Sequence, residues 1–71
     1  MTATMIAQSA LSQASTATGV RELAAAAAGC RIAARAVTGT LKAELLSASM
    51  KADNAATAIL EARYNAPVML A

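Results

Sequence analysis

An all-α fold is expected from three features of the chain. Its composition is 58% hydrophobic yet 1% aromatic, so alanine, the strongest helix former, carries the apolar total. Leu, Met, Lys, Arg, Gln and Glu, which also favour helices, fill most other positions. The aromatic and β-branched residues that suit strands are sparse, with Phe and Trp absent. In full, the expectation is one long or kinked helix, or a helical hairpin, with a weakly ordered N-terminal arm, packed in a homopolymer.

The 71 residues form a single helical assembly domain, divided by composition into residues 1–19, 20–66 and 67–71. Residues 2–18 carry no charge and alternate alanine with Thr, Ser and Gln. Hydroxyl side chains compete for backbone hydrogen bonds, so this stretch reads as an arm or weak helix that orders only where a neighbour packs on it. Gly19 is suited to cap a helix, and Glu22 then falls in the first turn, where a negative charge meets the positive end of the helix dipole.

The segment 20–66 is the main helical region. Alternating steps of three and four from Val20 reach Leu23, Ala27, Cys30, Ala34, Val37 and Leu41, all apolar, as in a coiled-coil seam. An extra step of four, a stutter, continues it through Leu45, Ala48, Ala52, Ala55, Ile59 and Ala62. This continuity favours a long or kinked helix over a hairpin turning at Thr38-Gly39-Thr40, and the seam, with Leu45 and Ile59 included, is the expected surface of self-association. Beside it runs a row of small residues, Ala26, Gly29, Ala33 and Ala36, that would let another helix approach closely. Gly29 in particular, costly inside a helix, is read as the place where a neighbouring backbone passes.

Pro67 restricts Ala66 before it to extended backbone, so the helix is expected to end near Asn65. The tail beyond is apolar, and Val68, Met69 and Leu70 are its expected contact residues.

Chemistry is bounded by what is missing. Cys30 is the only cysteine and histidine is absent, which removes an internal disulfide and the ordinary zinc ligand sets. The carboxylates are scattered, and no glycine-rich phosphate loop occurs, so neither a catalytic residue nor a metal or other cofactor is expected. Cys30 itself, lying on the seam, reads as a small buried hydrophobe.

The formal charge of +2 is mild. Arg31, Arg35 and Lys42 are spaced to share one side of a helix, a line for an anionic partner or for carboxylates of a neighbouring subunit. Three cations without aromatic stacking platforms are a poor nucleic-acid footprint, so copies of the chain itself are the expected partner. No cleavable signal or membrane-spanning stretch is legible. The expected location is extracellular or at the cell surface by a signal-independent route, or else cytosolic.

A short, aromatic-poor chain rich in Ala, Ser and Thr, with an uncharged N-terminal arm, resembles the small needle and pilus subunits of type III secretion systems. That resemblance implies a helical hairpin polymerised into a tube, with residues 55–71 towards its inner side. The resemblance departs at the turn, where those subunits commonly carry proline and this chain has only Thr38-Gly39-Thr40. Residues 13–20 also resemble the alanine-rich proteins of bacterial refractile bodies, which are coiled ribbons. The function expected is therefore a structural subunit that assembles into a filament, needle, pilus or tube, with a helical adaptor or coat protein on an anionic surface as the alternative.

Overall fold

A computed structural model describes residues 2–65. Three α-helices account for nearly all of them: α1 (Ala3–Thr16), α2 (Val20–Ala34) and α3 (Gly39–Asn65). The expected arm is therefore a helix. Thr2 caps it, its side-chain oxygen accepting from the Met5 amide at 3.2 Å. At the other end Ser15 donates to the Ser12 carbonyl and Thr16 to those of Ser12 and Gln13. The hydroxyls expected to weaken the segment thus share carbonyls of its last turn with the backbone, the Gln13 carbonyl accepting from the Ala17 amide as well as from Thr16.

α2 starts where the sequence places it, with Gly19 extended at φ −94° and ψ 159° and Glu22 in the first turn. Its end corrects the preference for one continuous helix. After Ala34 the chain tightens, the Arg35 and Ala36 amides donating to Ile32 and Ala33, three residues back. It then passes through Val37 and Thr38 and enters α3 at Gly39 with φ +70°. That left-handed conformation costs glycine nothing and any L side chain about 1 kcal/mol or more. The apparent stutter between Leu41 and Leu45 lies just beyond the point where one helix stops and the next begins.

The seam is consequently folded on itself. Leu23, Ala27, Cys30 and Ala34 of α2 are buried, as is Leu45 of α3. Val20, Val37, Leu41 and Ile59 pack half-buried against them. Two clusters result. One joins Ala7 and Ala10 of α1 to Cys30, Ala33, Ala34 and Leu45, and the other joins Leu23 and Ala27 to Ala52 and Ala56, with Ala17, Val20 and Ile59 at its edge. The helices therefore run up, down and up: α1 is roughly parallel to α3, and α2, antiparallel to both, shares its largest interface with α3.

Leu23 and Leu45 are the only buried apolar side chains larger than cysteine among the described residues. Each buried alanine methyl contributes about 0.8 kcal/mol, against about 1.5–3 for a fully buried leucine, so this interior is thin for its length. Ser49, the one buried polar residue described, donates to the Leu46 carbonyl at 2.7 Å.

α3 outruns its neighbours. At 1.5 Å per residue it is about 40 Å long and α2 about 22 Å. Because Val20, the first residue of α2, and Ile59 both pack on the second cluster, residues 60–65 extend past the start of α2. The molecule is a narrow rod of 55 × 19 × 14 Å. Among the described residues no helix is long and apolar enough to cross a membrane.

Adjacent leucines report the register of α3: Leu45→Ala should cost about 2–5 kcal/mol in urea unfolding, as for a buried leucine, and Leu46→Ala, on the exposed side, about 0.5 or less. The glycines should also split. Gly39→Ala should destabilise by about 1 kcal/mol or more, whereas Gly29→Ala, with nothing within 4 Å of its added methyl, should stabilise by about 0.5–1 kcal/mol.

Candidate functional site

With most of the seam occupied inside the chain, its members Ala55 and Ala62 being exposed, the surfaces open to a partner are those the three helices leave over. One of them is a groove of about 740 Å³ between α1 and α3. Leu11, Ala14 and Ser15 form one wall, Ala43, Ala48 and Ala55 part of the other, and the buried Leu23 and Ala52 its floor. It exists because small residues face each other across the α1–α3 contact: alanines at these positions leave space that larger side chains would fill. The α1 wall carries no charge, while the α3 wall carries one charge of each sign, Glu44 and Lys51.

Large apolar side chains stand outside. Met5, Ile6, Ile32, Leu46, Met50, Leu60 and Tyr64 are exposed, Ile32 and Met50 to 64% and Tyr64 to 84%. On α3, steps of four and three lead from Leu46 to Met50, Asp53, Thr57, Leu60 and Tyr64, which therefore lie along one side of the helix. That side flanks α2, as a salt bridge shows: Arg31 of α2 reaches across to Asp53 at 2.6 Å. On the other flank of α2, Ile6 and Ile32 line a shallow depression with Gly29 and Ala33.

The predicted close-packing row is split by this arrangement. Ala26 and Ala33 are buried, and Ala33 belongs to the cluster that Ala7 and Ala10 of α1 complete; Ala36 is exposed. Gly29 is half-buried, but nothing approaches within 4 Å of where its Cβ would stand, so among the described residues no backbone passes over it. Of the basic line, Arg31 is paired with Asp53. Both side chains are 48% exposed, which limits their pair to about 1 kcal/mol or less after solvent screening. Arg35 and Lys42 are exposed. The expected contacts of Val68, Met69 and Leu70 lie outside the described residues.

Cys30 is fully buried, and its thiol donates to the Ala10 carbonyl at 3.5 Å, tying α1 to α2. Burial pushes the thiol above its ordinary value of 9.0, with Arg31 opposing more weakly. Among the described residues no three Cys, Asp or Glu side chains converge on a point that could hold a metal ion.

The exposed apolar faces are the part of the site hardest to find in the sequence. Leu46, Met50, Leu60 and Tyr64 carry a periodic signal of their own, but Asp53 and Thr57 interrupt it, and it shares α3 with the longer apolar run of the seam. Compared with models of known families, with curated proteins and with solved structures, the chain matches none.

The thiol makes a pH-dependent prediction. Because the folded state holds the proton longer, the unfolded chain ionises first as pH rises, and stability falls from about pH 9 upward. Cys30→Ala should flatten that decline relative to the native sequence in parallel urea titrations, and native Cys30 should resist alkylation at pH 8 until the chain is unfolded.

Proposed function

We propose that this chain is a structural subunit that assembles with copies of itself into a helical filament or tube. The observation that carries the reading is an inversion of the usual partition: among the described residues, seven large apolar side chains are exposed, against two leucines buried. Scattered apolar residues are normal on a protein surface. Here they outnumber the two buried leucines, and six of them, all but Met5, fall on two flanks of α2, the α3 side and the Ile6–Ile32 side. A single patch would be satisfied by one partner and stop at a dimer, whereas two patches on different flanks allow each subunit two neighbours, which is what an open polymer needs.

A thin interior supports the same reading. Domains of this length bury a small fraction of their surface and commonly depend on disulfides, metals or partners. With one cysteine and no histidine, partners are the support this chain can recruit. The alternative of an anionic surface gains nothing from the geometry, since Arg31 already faces Asp53.

Sedimentation velocity across a concentration series, with negative-stain microscopy of the same samples, tests the reading. Filaments or large oligomers are expected at micromolar concentrations, and Ile6→Ser/Ile32→Ser should shorten or abolish them while leaving the helical circular dichroism unchanged. A chain that sediments as a monomer throughout the series contradicts it.

A further inference from the structure

We infer that the end of α3 in one copy, Leu60 to Tyr64, seats in the α1–α3 groove of the next, joining subunits head to tail. This rests on the self-assembly reading and assigns its junction.

The end is a projection without a partner among the described residues. It passes beyond Ile59, which packs on the second cluster, and Leu60 and Tyr64, four residues apart, stand on the same side of the helix. Tyr64 is the only aromatic residue of the chain and the most exposed of its large apolar side chains among the described residues. The groove is the complementary feature, a depression walled by alanines and floored by Leu23. Its volume of about 740 Å³ falls within the range of about 300–1,000 Å³ of pockets that enclose drug-sized ligands. Both bulky side chains fit within such a space.

Charge agrees with shape. At about 100° per residue, Glu61 and Arg63 flank the Leu60–Tyr64 face on opposite sides. The groove offers Lys51 and Glu44 on its α3 wall, so whichever charge of the entering end faces that wall finds an opposite charge there, and the junction is neutral overall.

The occupant has to come from another molecule. The groove stops at Ala55, five residues before Leu60 on one unbroken helix, and a continuous helix cannot turn its end back onto its own flank. A contact between two different surfaces of identical chains leaves one of each unsatisfied at every stage, so it propagates instead of closing.

That asymmetry gives a direct test. Leu60→Ser/Tyr64→Ser removes the projection and keeps the groove; Ala43→Arg/Ala55→Arg, at exposed positions, obstructs the groove and keeps the projection. With helicity unchanged in both, each variant alone should lose association at least tenfold in apparent Kd, and a 1:1 mixture should form a two-chain species in sedimentation velocity. Association of either variant at the native level, or a mixture that stays monomeric, overturns the junction while leaving assembly through other faces intact. A native chain that never associates overturns both.

Discussion

The whole arrangement depends on α2 lying against α3 through contacts of alanine size. Leu23, Ala27, Cys30 and Ala34 meet Leu45, Ala52 and Ala56, and that meeting is possible because Gly39 takes a left-handed backbone conformation between the helices. Once the hairpin is closed, α1 docks Ala7 and Ala10 beside Cys30 and Ala33, and the thiol of Cys30 ties it there. Small side chains allow close helices, but they bury little apolar area each. The same economy that makes the fold narrow leaves it thin.

Thinness shapes the surface as well. A core that fully buries two leucines and covers five more bulky side chains in part leaves seven others on the outside of the three helices. Alanine walls that suit a tight α2–α3 seam also leave the α1–α3 boundary hollow. An exposed set of large residues and an unfilled groove are two results of one composition, and the proposed self-assembly uses both in matching number.

Much of this is legible in the sequence. The all-helical composition, the start of α2 at Gly19-Val20 and the apolar identity of the buried face follow from propensity, capping and periodicity. The direction of that face does not follow, because a heptad-like stripe reads the same whether it meets another molecule or folds back on itself. What decides is the backbone at residues 35–39, and one glycine in an alanine-rich stretch is a quiet signal. The order of α1 is hidden for a different reason, since Ser and Thr lower helix propensity on average. At Thr2, Ser15 and Thr16 they occupy positions where their oxygens serve helix ends. The stripe through Leu46, Met50, Leu60 and Tyr64 obeys the same steps of three and four as the seam, one face away from it.

The central claim is that neighbouring molecules complete a fold whose own interior is too small. Thermal unfolding followed by circular dichroism over a thousandfold range of protein concentration tests it most directly, since association that favours the folded state raises the melting temperature with concentration. The account predicts a midpoint that climbs steadily across the range. A cooperative transition with the same midpoint at every dilution, from a species that sediments as a monomer, contradicts it.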